Sequence, residues 1–189
     1  MRTLIRRLDR LIRHINGIFD FYDDDTCVFR LQWKRAPHEI RLSDGTTVHR
    51  DEPVLYLHLW SEHIPPMPPQ GPDLAWAVDL RRRLLATLRQ LARWVREGSH
   101  QSRVRAIGGA TVLIPAGEDG GGKRLLERLG FDVFPYHRPL GRFGEFWENL
   151  YTWGLMWAYN PTGARYHSPR RMRRTEVWMS VQTLLERYG

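Results

Sequence analysis

The sequence predicts an α+β domain built on a mixed, largely antiparallel sheet with helices on both faces. Three observations predict it. Short apolar runs alternating with period two recur through the first third of the chain. A long helical pattern then separates them from a stretch in which helices and strands take turns. Finally, 189 residues with 42% hydrophobic and 26% charged content suit a single domain over 1–189, with no linker to divide it.

The elements follow in order. Leu4, Ile5, Leu8, Leu11, Ile12, Ile15 and Phe19 fall at helical spacing, with Arg2, Arg6, Arg7, Arg10 and Arg13 elsewhere on the cylinder. The acidic turn Asp23-Asp24-Asp25 ends this helix. Val28 to Trp33 and His38 to Leu42 alternate as strands, and Ser43-Asp44-Gly45 supplies a hairpin turn. Val54 to Trp60 is the most informative strand. Leu55, Leu57 and Leu59 point to one face as plain core, while Val54, Tyr56, His58 and Trp60 form an apolar face with hydrogen-bonding tips, suited to a pocket wall. Prolines crowd Ile64 to Pro72, a stiff connector. A helix spans about Asp73 to Glu97 until Gly98 stops it. Arg105 to Ile114 reads as a buried strand, Lys123 to Leu129 as a short helix and Phe131 to Tyr136 as a strand. Phe143 to Tyr159 is helical and apolar nearly all round, ended by Asn160-Pro161. A last strand, Glu176 to Ser180, precedes a closing helix. The first strands make an antiparallel meander and the later ones two crossover units.

The formal net charge is +8, and of the 29 basic residues only Lys34 and Lys123 are lysines. Arginine forks suit phosphate and carboxylate. Eight tryptophans favour boundaries that are apolar on one side and wet on the other. Cys27, the single cysteine, allows no intramolecular disulfide and fits a reducing compartment. The arginine-rich start resembles neither a signal peptide nor a spanning helix, so a cytoplasmic location is expected, peripheral on the inner membrane face.

The element order, with Arg124 to Val133 closing a short helix into a strand, resembles the second half of the GCN5-related N-acetyltransferase fold over about Val28 to Tyr136. That resemblance implies an acetyltransferase-like topology and an acyltransferase-like activity. Members bind coenzyme A through a glycine-rich turn at the head of the long helix. Pro68-Pro69-Gln70-Gly71-Pro72 stands there in this chain, and its prolines lack the N–H donors that a phosphate needs. No cofactor is expected. A second resemblance covers nearly the whole chain. Leu42-Ser43-Asp44-Gly45-Thr46, Asp51, Leu55-Tyr56-Leu57-His58-Leu59, Gly130-Phe131 and Asn160-Pro161 are similar to the YkoP-like domain family, found alone or appended to polysaccharide deacetylases. This implies an association with envelope lipid or glycan metabolism.

His58, Glu62 and His63 form the densest cluster of acid–base groups and are the catalytic candidates, with Tyr56, Trp60 and Arg82 lining a pocket. A spacing of five between the histidines, with the first on a strand, does not match a zinc site, and no metal is expected. Half-buried histidines bonded to a neighbour are the plainer alternative. Gly117 to Lys123 spells G-x-x-x-x-G-K, but Arg124 stands where magnesium needs Ser or Thr, so a surface turn is expected. A basic surface of Arg6, Arg10, Arg170, Arg171, Arg173 and Arg174, rimmed by Trp147, Trp153 and Trp157, would hold an anionic lipid or acidic glycan. The same helices could instead fill the core. No nucleic-acid signature accompanies the charge; the aromatic helix also suits a protein partner.

Overall fold

The computed structural model describes residues 2–98, 100, 103–112, 121–137, 141–165, 168–169 and 172–189. Among them the fold is α+β, and its sheet is mixed and mostly antiparallel. The order is α1 (Arg2–Ile15), β1 (Phe29–Arg35), β2 (Ile40–Arg41), β3 (Thr47–Val48), β4 (Pro53–Leu59), α2 (Leu74–Glu97), β5 (Ala106–Thr111), α3 (Gly121–Arg128), β6 (Asp132–Pro135), α4 (Gly141–Tyr159), α5 (Pro161–Arg165), β7 (Thr175–Ser180) and α6 (Val181–Tyr188). Gly117 to Gly120 of the G-x-x-x-x-G-K stretch lie outside the described residues. Two compact units emerge. The first contains Met1–Arg30, Leu59–Thr87 and Arg138–Met172, and the second Leu31–His58, Leu88–His137 and Arg173–Gly189.

The second unit carries the sheet, in the order β1-β4-β5-β7-β6. β1 and β4 run antiparallel in it, since Ala36 exchanges backbone bonds with Asp51 and Glu52 while the strands continue in opposite directions. β4 and β5 are parallel, as the α2 crossover requires, and β7 lies antiparallel between β5 and β6. β2 and β3 form a separate hairpin rather than the middle of a meander, with Gly45 at φ 87° in its turn. Asp44 holds this hairpin to the start of α6. Its carboxylate accepts from the Ser180 and Thr183 hydroxyls and, at 2.9 Å, from Thr46 N. Ser180 in turn caps α6 through Thr183 N at 2.9 Å. Ala36, Ile40, Leu42, Val48, Val54, Ala106 and Trp178 make the core of this unit, with Tyr56 and Phe134 packed against it. Gly108 is required at this point, because a Cβ there would drive into the Val177 carbonyl and the Trp178 ring.

The first unit is helical. α1 packs on α4, α4 continues into α5, and the proline segment and the first half of α2 complete it. Asn160 separates α4 from α5. Its Oδ1 accepts from Gly163 N at 3.1 Å, an N-cap with Pro161 in the first helical position. The sequence pattern stops at this point because proline reads as a terminator, although it also serves to start α5.

The strand Val54 to Trp60 departs from its expected division into core face and pocket wall. Val54 and Trp60, assigned to the pocket wall, are buried. Hydrogen-bonding tips do not prevent burial when partners wait inside: Tyr56 Oη accepts from Ala110 N at 2.9 Å, and Trp60 Nε1 donates to Glu62 at 2.7 Å.

Candidate functional site

α1 buries a charge and leaves part of its apolar stripe exposed. Its inward side carries Asp9, which is buried, while Leu8, Leu11 and Ile15 are 49%, 55% and 72% exposed. The cause is a set of polar contacts. Tyr151 Oη donates to Asp9 Oδ1 at 2.9 Å, Arg13 Nε lies 3.1 Å from Asp9 Oδ2, and Tyr159 Oη reaches Oδ2 at 3.5 Å. Arg6 Nη2 donates to Ala158 O at 2.9 Å, and its guanidinium lies 5.0 Å from the Tyr159 ring centre. A buried carboxylate must find donors, so the bonds from α4 set the rotation of the helix, while Arg13, on α1 itself, adds only an ion pair. Of the apolar stripe, Ile5 and Ile12 are half-buried, while Leu8, Leu11 and Ile15 remain outside together with exposed Arg7, Arg10 and His14.

A cleft of about 410 Å³ opens in this unit, lined by Arg6, Arg10, Glu62 and Tyr159. Glu62 is held from behind. Arg30, itself buried, donates from Nη2 to Glu62 Oε2 at 2.9 Å and from Nε to Asp20 at 2.8 Å. Its guanidinium covers the Trp60 ring at 3.9 Å, and His63 stacks on that ring at 3.8 Å. Burial alone would raise the Glu62 pKa. The hydrogen bond and charge of Arg30, with the Trp60 indole and the charge of Arg13, outweigh it and bring the carboxyl below its ordinary value. Glu62 is therefore an ionised acceptor at neutral pH. Tyr159 is pushed up to about 12 by burial, then by the charges of Glu62 and Asp9, so its hydroxyl stays protonated.

The catalytic candidates divide. Glu62, His63 and Trp60 come together in the first unit, with His63 Nδ1 at 2.8 Å from Cys27 O. His58 belongs to the second unit with Tyr56. Its Nε2 meets Gln32 Oε1 at 2.8 Å, which makes Nε2 the protonated nitrogen. Burial and then the neighbouring Lys34 lower its pKa to about 4. Arg82, expected in the pocket wall, is exposed and pairs with Asp79 at 2.7 Å. In the second unit buried Glu176 gathers His38 Nε2 at 2.9 Å, His137 N at 2.9 Å and Trp178 Nε1 at 3.1 Å.

The basic and aromatic candidates also divide. Arg6 and Arg10 line the cleft, whereas Arg173 is exposed in the second unit and Arg174 lies 6.0 Å from the Tyr136 ring centre. Arg170 and Arg171 lie outside the described residues. Trp147 is 53% exposed at the start of α4, beside exposed Phe143 and Phe146. Trp153 and Trp157 are half-buried, and Trp153 Nε1 donates to Ala164 O at 3.2 Å. Asp9, Arg30 and Tyr159 went unnoticed as site residues. An aspartate inside a helical stripe and an arginine inside an apolar strand were the available signals.

The YkoP domain family model matches residues 1–188. The chain belongs to the YkoP domain family. No curated protein and no solved structure matches this YkoP domain. Among its described residues no helix is long and apolar enough to cross a membrane, and no cluster of three His, Cys, Asp or Glu residues is placed to hold a metal ion. What the YkoP domain does present is a cleft lined by two arginines, a carboxylate and a tyrosine, on a unit whose N-terminal helix exposes Leu8, Leu11 and Ile15.

Proposed function

We propose that this domain attaches reversibly to anionic membranes, seating an acidic lipid headgroup in the cleft of Arg6, Arg10, Glu62 and Tyr159. The single observation that carries this reading is the outward stripe of Leu8, Leu11 and Ile15 with Arg7, Arg10 and His14 beside it. A soluble surface rarely leaves such a stripe uncovered, and an interfacial helix needs this division: apolar side chains in the acyl boundary, cations at the headgroups. Each half-exposed leucine or isoleucine would gain about 1 kcal/mol on burial, and each arginine near an anionic surface about 1 kcal/mol. Phe143, Phe146 and Trp147 offer a further set of rings suited to the interface.

Vesicle flotation tests it. The protein should float with phosphatidylcholine vesicles containing phosphatidylglycerol, less with pure phosphatidylcholine, and less again at high salt. Leu11→Glu and Ile15→Glu, both at exposed positions, should each cut partitioning by about tenfold while leaving the melting temperature unchanged. Equal recovery with neutral and anionic vesicles, or none with either, would overturn the proposal.

A further inference from the structure

We infer that the cleft selects a phosphate ligand bearing a hydroxyl group, with Glu62 as the residue that reads the hydroxyl; this rests on the cleft binding an anion, as proposed above. A site for an anion should be all donors, yet its lining includes an ionised carboxylate. Two donors fix that carboxylate. Arg30 Nη2 at 2.9 Å and Trp60 Nε1 at 2.7 Å both bond Oε2, and among the described residues Oε1 accepts from nothing. One oxygen is thus consumed by the protein and the other remains as an acceptor on a residue lining the cleft. Arg30 is buried against the Trp60 ring and keeps Asp20 on its Nε, so swinging Glu62 away would leave its Nη2 without an acceptor.

The other lining groups are of opposite character. Arg10 is exposed and makes no hydrogen bond or ion pair among the described residues, and Arg6 uses one nitrogen on Ala158 O. Their remaining N–H groups fit phosphate oxygens. A complementary ligand therefore carries an anion and, a short distance away, a hydrogen-bond donor. Charge decides the type of donor. Two arginines line the cleft against one carboxylate, which Arg30, shared with Asp20, partly offsets from behind. A surplus of positive charge favours a ligand with net negative charge, so the donor is a neutral hydroxyl rather than an ammonium. Phosphoglycerol and sugar-phosphate groups have this chemistry, whether they come on a lipid or free.

The discriminating pair of probes is phosphatidylglycerol against phosphatidylmethanol, phosphodiesters of equal charge that differ in the hydroxyls. Glycerol phosphate against methyl phosphate is the soluble equivalent, followed by calorimetry. The full chain should bind phosphatidylglycerol vesicles about tenfold more tightly than phosphatidylmethanol vesicles, the worth of one hydrogen bond to a charged acceptor. Glu62→Gln should bring that ratio to about one, because the amide oxygen stays with Arg30 and Trp60 and turns an N–H₂ donor toward the ligand. Arg10→Ala should weaken both lipids alike and preserve the ratio. Melting curves of each variant confirm that it folds. Equal binding of both lipids by the unmutated protein overturns the hydroxyl inference alone and leaves membrane attachment standing. Preference for glycerol phosphate with no vesicle binding supports the inference and overturns the membrane reading. A full preference retained in folded Glu62→Gln removes Glu62 from the role.

Discussion

The Tyr151 hydroxyl donates to Asp9 Oδ1 at 2.9 Å, across a sequence separation of 142 residues, and this bond helps decide which side of α1 faces outward. Tyr151→Phe should leave a buried carboxylate one donor short and lower stability by about 1–2 kcal/mol, read from urea unfolding.

The same contacts set an alkaline limit. Burial first, then Asp9, raises the Tyr151 pKa from the ordinary 10.0, and Tyr159 rises to about 12. A folded-state pKa above the unfolded one gives stabilisation that is complete below pH 10 and lost as pH climbs through the folded value. Melting temperatures should therefore hold steady to about pH 10 and then fall. In the double variant Tyr151→Phe, Tyr159→Phe that part of the fall should be absent.

Arg30→Met should be costly from the opposite direction. It removes a buried cation and leaves both Glu62 and Asp20 without their partner, a loss of about 3 kcal/mol in chemical denaturation. The Glu62 carboxyl, lowered from 4.5 in the fold, contributes stability that is present above that value and lost as pH falls through the folded one. Acid unfolding of the variant should show less of this dependence.

His58 offers a spectroscopic check. With its pKa brought down to about 4, its ring resonances should not shift between pH 8 and pH 5 in a proton NMR titration, unlike those of exposed histidines. Because the unfolded ring protonates near pH 6.5 and the folded one only near 4, stability should begin to fall below about pH 6.5. Movement of the His58 signal with a midpoint near neutrality would contradict the burial and the nearby Lys34 charge described above.

Gly108→Ala should prevent folding of the sheet unit or destabilise it by more than about 3 kcal/mol, because the added methyl meets backbone and an immobile ring rather than a flexible tip. Gly45→Ala meets no atom but keeps φ at 87°, so its cost should be about 1 kcal/mol in the same thermal melts.

Local periodicity carried the element assignment well where the pattern was long. α1, β1, β4, α2 and α4 lie where their apolar spacing placed them, since each is defined by its own residues. Thr47–Val48 and Pro161–Arg165 were missed, being a strand of two residues and a helix of five. Sheet order was beyond reach for a different reason. Placing β7 between β5 and β6 brings together segments whose pairing depends on contacts such as Gly108 against Trp178, and no local pattern encodes it. At the site, the clustering of Trp60, Glu62 and His63 was visible in the chain, but Arg30, Asp9 and Tyr159 come from distant segments.

The sequence by itself determined that α1 is a helix with an apolar stripe, that Glu62 sits beside an indole and an imidazole, and that the chain has the YkoP motifs around Asp44. Tertiary structure alone decided the rotation of α1 and the state of Glu62. Spacing fixes which side chains share a helix face, but not which face turns inward. That choice came from the free energy of a buried carboxylate, Asp9, meeting the Tyr151 and Tyr159 hydroxyls carried by α4.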